Sequence, residues 1–242
     1  FITSFTAAER LMELEEIKQE EHQQPLILKA PLGISLNKVK FQYTSKSRLI
    51  FNGFNYNFPA GSVTAIVGRT GAGKTTLIRL LLSLIKPSEG SVTLVDASGK
   101  TYTMEANMRA NFSYVPQGNT LFSGTIRSNL LQGNPQATEE DIKTALYLAD
   151  AEFVYKKSNG LDTICGESGD GLSEGQAQRI AIARALMSKG SIYIFDEATS
   201  SLDPETEENV LKRIISHYPN RTLIFITHRP LVLKYADQRL EL

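Results

Sequence analysis

The sequence has one cysteine, Cys165, so it can form no internal disulfide, and no residue cluster reads as a structural zinc site. A reducing compartment fits. Net charge is also missing, because 26 Lys+Arg offset 26 Asp+Glu. Long-range attraction to nucleic acid is therefore unsupported, although a local basic patch is compatible with this balance. No apolar run reaches membrane-spanning length. The richest, Leu77 to Ile85, is short and broken by Arg79. It also lies inside the chain and lacks small-residue cleavage signals, which excludes a signal peptide. There is no internal repeat and no low-complexity tract. The first residue is Phe1 rather than Met, which reads as a piece of a longer chain whose remainder holds the membrane segments.

What is present suits one α/β domain, or one core with a smaller inserted lobe: 242 residues, 41% of them hydrophobic. Residues 5–18 read as a helix with Ala8, Leu11 and Leu14 on one face. Glu20 to Pro31 reads as a linker, interrupted by Pro25 and Pro31. Ile34–Tyr43 alternates apolar and polar residues, as an edge or half-buried strand does, and Phe51–Phe58 repeats the pattern. Ser62–Val67 is rich in β-branched residues and suits a buried strand. Lys74–Leu84 reads as a helix, and Gly90–Val95 and Phe112–Val115 as strands. From about Gln117 the strand signal fades. Ile126–Leu131 and Glu139–Lys157 read as helices of a lobe reaching about Ala185. Ser191–Phe195 and Thr222–Thr227 return to strand, with the helix Pro204–His217 between them.

The most informative segment is Gly68-Arg69-Thr70-Gly71-Ala72-Gly73-Lys74-Thr75, followed by Thr76. Gly, four residues, then Gly-Lys-Thr, set between an apolar strand and a helix, is a phosphate-binding loop. Gly71 and Gly73 permit backbone conformations closed to other residues. Successive N–H groups then form an anion nest, and the following helix aims its unpaired N–H groups at the same charge. Lys74 is expected to reach the β- and γ-phosphates of ATP, and Thr75 to place its hydroxyl on Mg²⁺.

Downstream, four apolar residues precede Asp196-Glu197, which puts two carboxylates at the C-terminal end of a buried strand. Open α/β sheets bind ligands on that side. Asp196 is the candidate for holding Mg²⁺ through water, and Glu197 for orienting or deprotonating the attacking water. Two adjacent carboxylates repel, so a nearby Mg²⁺ or Lys makes physical sense of them.

With Leu172-Ser173-Glu174-Gly175-Gln176 and the following Arg179 to Leu186, residues 34–240 resemble the nucleotide-binding domain of an ATP-binding cassette (ABC) transporter of the exporter type. The resemblance implies a P-loop NTPase fold. Its core is a mainly parallel sheet, with an antiparallel β subdomain and an inserted helical subdomain at about 118–185. It implies that residues 1–24 are the end of the last transmembrane helix and a linker, and that 25–242 are the ATP-binding domain. Tyr43 matches the aromatic that stacks on adenine. Gln117, in Tyr114-Val-Pro-Gln, matches the glutamine that touches Mg²⁺ and the attacking water. His228 matches the histidine that contacts the γ-phosphate, and Ser201-Leu202-Asp203 the loop that communicates across a dimer. Ser173, Gly175 and Gln176 would cover the nucleotide of a second such domain, identical or different. The stretches Phe122–Asn129 and Asp162–Glu167 resemble exporters, with Glu167 the residue meeting the membrane domains. The implied place is the cytoplasmic face of a membrane, with a soluble fragment, a transmembrane partner and no nucleic acid. The family continues into a strand and helix where Ala236–Leu242 stops.

The departure is Glu174, where the family usually has Gly. Ser173 and Gln176 suit a capping box, and an acid in the first helical turn is favourable, its side chain pointing to solvent. Alternatively the carboxylate repels the triphosphate. Rival functions are the ATPase of an importer or a soluble system, and a non-catalytic regulatory module, which Glu197 and His228 argue against.

Overall fold

The computed structural model describes residue 20 and residues 23–118, 120–166 and 171–242. The helix expected at 5–18 and the residue Glu167 lie outside them. Two sheets carry the domain. An antiparallel sheet has the order β2-β1-β4-β5. Its strands are β1 (Gly33–Phe41), β2 (Phe51–Phe58), β4 (Glu89–Val95) and β5 (Thr101–Thr103). A five-stranded sheet has the order β11-β3-β10-β9-β6. Its strands are β3 (Val63–Val67), β6 (Phe112–Val115), β9 (Ile192–Asp196), β10 (Thr222–Ile226) and β11 (Gln238–Glu241), and every pairing in it is parallel. β1 is half-buried and pairs on both sides, so it is not an edge strand.

The central parallel strands β3, β9 and β10 are buried on both faces, and their alternation sorts the core into two halves. Tyr193 and Phe195 of β9, Leu223 and Phe225 of β10, and Val63 and Ala65 of β3 belong to one cluster. Phe195 and Phe225 stack there at 4.6 Å between ring centroids. Ile192, Ile194, Ile224, Ile226 and Ile66 point the other way, into a cluster shared with helix α1 (Lys74–Leu81) and the antiparallel sheet. A residue period of two explains the split, because successive side chains leave a strand on opposite faces.

The first cluster is covered by the helical subdomain: α2 (Ile126–Leu131), α3 (Glu139–Leu148) and α4 (Glu174–Met187), followed by α5 (Pro204–His217) and α6 (Pro230–Tyr235). α3 ends at Leu148 instead of running to Lys157, and the chain resumes as a short 3₁₀ turn at Glu152–Lys156. Asp150 takes a left-handed backbone, φ 52, and its carboxylate pairs with Arg213 at 3.1 Å and Arg179 at 3.4 Å. A helix cannot pass through that conformation. The lobe also contains a small antiparallel pair, β7 (Gly124–Thr125) with β8 (Ile164–Cys165). β11 extends the parallel sheet within the residues where the sequence reading expects the chain to stop short of a strand.

Among the described residues, no helix is long and apolar enough to cross a membrane. The described part of the expected linker, from residue 23 on, is docked. Leu28 N–H donates to Asn111 Oδ1 at 2.7 Å, and Asn111 Nδ2 donates to the Leu26 carbonyl at 2.7 Å.

Candidate nucleotide site

Because the large sheet is all parallel, the C-terminal ends of β3, β6, β9 and β10 open on one edge, the side where open α/β sheets bind ligands. β3 runs into the glycine loop, β6 leads to Gln117, β9 ends on Asp196 and Glu197, and β10 leads to His228. A cleft of about 380 Å³ lies there, lined by Ile50, Thr70, Gly71, Gly73, Lys74, Thr75, Thr76, Gln117, Asp196, Glu197 and His228.

Gly71 and Gly73 have φ of 80 and 108, where side chains are strained. Gly73 has a second constraint, since a Cβ there would meet Ile50 Cγ2 at 2.9 Å. Lys74 turns back over the loop, its Nζ donating to the Gly68 carbonyl at 2.6 Å and the Arg69 carbonyl at 3.2 Å. His228 Nε2 is 3.4 Å from Lys74 Nζ and 3.5 Å from Glu197 Oε1. Gln117 Nε2 donates to Glu197 Oε2 at 2.7 Å. Four side chains from four separate elements thus form one polar chain, from Gln117 through Glu197 and His228 to Lys74. Gly68, Arg69 and Ala72 face an adjoining hollow, with Arg48, Arg239 and Glu241.

Glu197 has φ 49 and donates its N–H to the Ile226 carbonyl at 2.9 Å. A left-handed non-glycine residue at a strand end is strain held by its surroundings, of a kind that clusters at functional sites. Asp196 is partly buried, and burial pushes its carboxyl above the usual carboxylate range. Tyr114 Oη donates to Asp196 Oδ2 at 3.1 Å. Burial, and then the Asp196 carboxylate, raise the Tyr114 hydroxyl in turn.

Tyr43 is half-exposed, and its hydroxyl lies 3.2 Å from Thr76 Oγ1 and accepts from Arg79 at 2.9 Å. Its ring meets Phe41 edge-on at 5.0 Å. Ser173, Gly175 and Gln176 do not line the cleft. They begin α4, where the expected capping box is present: Ser173 Oγ accepts from the Gln176 N–H at 3.2 Å, and Gln176 Oε1 accepts from the Ser173 N–H at 3.3 Å. Glu174 is exposed, as the capping-box reading expects, and its carboxylate also accepts from the Ser201 hydroxyl.

Two residues of this region escape the sequence reading. Tyr114 serves there only as context for Gln117. Gln178 is 4% exposed and reaches both Glu197 and Ser201. Its signal was an amide among the apolar positions of a helix that is otherwise buried on that face.

The donors available for a cation are oxygens: the Thr75 hydroxyl, an Asp196 carboxylate and the Gln117 amide. This hard set, completed by phosphate oxygens and water, fits Mg²⁺. No cluster of three His, Cys, Asp or Glu that could hold a metal by itself is present among the described residues.

Residues 51–200 match the family model described as ABC transporter. The chain belongs to the ABC transporter family. It is a nucleotide-binding domain of that family, with ATPase activity, and its P-loop NTPase architecture is the family's own. It is 39% identical over 236 residues to an ATP-dependent lipid A-core flippase of Desulfotalea psychrophila, covering 96% of this chain and 41% of that protein. It is 34% identical over 241 residues to the ABC transporter ATP-binding protein YfiC of Bacillus subtilis, covering 98% of this chain and 40% of that one. Among solved structures, a bacterial Atm1-family ABC exporter with ATP bound superposes with a TM-score of 0.85 at 33% identity, over 98% of this chain and 41% of that chain. The ABC domain therefore spans about two fifths of the relatives it matches.

Proposed function

We propose that this chain is the motor of a membrane exporter, in which two such domains close head to tail on two Mg·ATP and hydrolysis reopens them. The observation that carries the reading is the convergence of Gln117, Glu197, His228 and Lys74 over the glycine loop. Residues 25–242 are the ATP-binding domain, residues 1–24 the end of the last transmembrane helix and the link from it, and residues about 118–185 the helical subdomain.

Tyr43 stacks on adenine. The N–H groups of the segment from Gly68 to Thr76, with Lys74, hold the β- and γ-phosphates. Thr75, Asp196 and Gln117 hold Mg²⁺, which when bound neutralises charge on the phosphate oxygens. Glu197 takes a proton from the attacking water, Gln117 fixes the orientation of its carboxylate, and His228 contacts the γ-phosphate. These groups act by position and electrostatics, as phosphoryl transfer requires. Ser173, Gly175 and Gln176 of a second domain, identical or different, cover the γ-phosphate with the N–H groups at the start of α4.

Support for a transmembrane partner comes from the lobe. β7 and β8 pair Gly124 with Cys165 and Thr125 with Ile164, which joins the two exporter-like stretches. Phe122, just before that pair, and Ile164, within it, stand 61% and 73% exposed. The whole protein then sits in a membrane with this domain on the cytoplasmic face. The head-to-tail pairing is tested in the full-length Glu197→Gln protein, with labels on exposed Lys46 and its counterpart in the second domain. Mg·ATP should shorten the distance between the labels; a distance that ignores Mg·ATP contradicts pairing around the nucleotide.

A further inference from the structure

Ser201 is held against the first turns of α4 at three points. Its hydroxyl donates to the Glu174 carboxylate, and its N–H donates to Gln178 Oε1 at 3.0 Å. Gly175 lies so close that a Cβ there would meet the Ser201 carbonyl oxygen at 3.0 Å. The start of the same loop is held too. The Gln178 amide nitrogen faces the Glu197 carbonyl at 3.4 Å and Ser200 Oγ at 3.3 Å. The segment from Glu197 to Ser201 is thus fastened at both ends to one helix. Such fastening has a purpose, because the left-handed backbone of Glu197 persists only if its surroundings over-determine it.

Glu174 is the first helical residue of α4, where a carboxylate is favoured by the helix dipole. From there it could project away from the helix end. It bends back instead to a hydroxyl of its own chain, and a bond from hydroxyl to carboxylate is among the stronger kinds.

We infer that Glu174 and Ser201 form a latch that holds the Glu197–Ser201 loop on α4 and thereby positions Glu197. The inference rests on the reading of Glu197 as the group that activates water. Both are positioning residues; neither lines the cleft.

The test uses the full-length protein, with kcat, KM for ATP and hydrogen exchange across residues 197–203. Glu174→Ala and Ser201→Ala should each lower kcat about fivefold, in the range that loss of one hydrogen bond produces. KM should stay unchanged, and exchange across the loop should rise in both. The double variant should be no worse than either single one. Ser201→Thr, which keeps the hydroxyl, should restore turnover, and Glu174→Gln, which keeps an acceptor, should stay within about twofold of the parent. Additive losses, a rise in kcat for Glu174→Ala, or loop exchange indifferent to both substitutions would overturn the latch. A parent protein that releases no phosphate would instead sink the reading of Glu197, while the exchange comparison, which needs no turnover, still decides the latch.

Discussion

Gln117 donates its side-chain amide to Glu197 at 2.7 Å, although the two are 80 residues apart in the chain. The bond joins the end of β6 to the end of β9 and fixes one oxygen of Glu197, leaving the other toward His228 at 3.5 Å. Gln117→Ala removes that hold without emptying the glycine loop. Phosphate release should fall about ten- to a hundredfold, the usual effect of losing a group that orients a site residue. ATP affinity in binding titrations should change little. A large loss of affinity with unchanged turnover of bound ATP would contradict this.

Asp196 is partly buried, and that burial raises its carboxyl above its ordinary value. The folded chain therefore binds that proton more readily than the unfolded chain. Folding is favoured by this group at acid pH, and the advantage is lost as pH climbs through the raised value. At neutral pH the charged form is a cost, so Asp196→Asn should raise the melting temperature while it removes Mg²⁺-dependent hydrolysis. A melting temperature lower than the parent's at pH 7, measured without nucleotide, would show that the carboxylate is stabilising instead.

Gly73 and Gly71 separate two effects of a methyl group. At Gly71 a Cβ meets nothing within 4 Å, so Gly71→Ala carries backbone strain alone. At Gly73 the strain is joined by a contact of 2.9 Å with Ile50. Gly73→Ala should lose about 1–3 kcal/mol of unfolding free energy, and more than Gly71→Ala does. Denaturant titration of the two variants checks the order, and equal losses would place the cost in the backbone only.

The central strands were legible because burial leaves its mark on composition: Val63–Val67 and Ile192–Phe195 are nearly unbroken runs of β-branched and aromatic residues, whereas β5 and the exposed edge strand β11 carry no such mark. The glycine loop and the acidic pair could be read because their chemistry requires adjacent residues. The meeting of Gln117, Glu197 and His228 is tertiary, and spacing along the chain is silent about it; the family resemblance supplied those partners. The break after Leu148 was missed because the helical pattern continues in the letters, while the ion pairs that hold Asp150 left-handed come from Arg179 and Arg213, far along the chain. The two-residue strands β7 and β8 are too short to show a period. Glu174 could be read as a helix cap but not as a partner of Ser201, because a contact between loops leaves no periodic trace.

The most direct measurement is phosphate release by the full-length protein with Mg·ATP, compared with its Glu197→Gln variant, together with nucleotide binding by both. The account predicts steady release by the parent, a loss of at least about a hundredfold in the variant, as expected when a general base is removed, and undiminished ATP binding. Equal release by the two proteins, or a variant that no longer binds ATP, would contradict it.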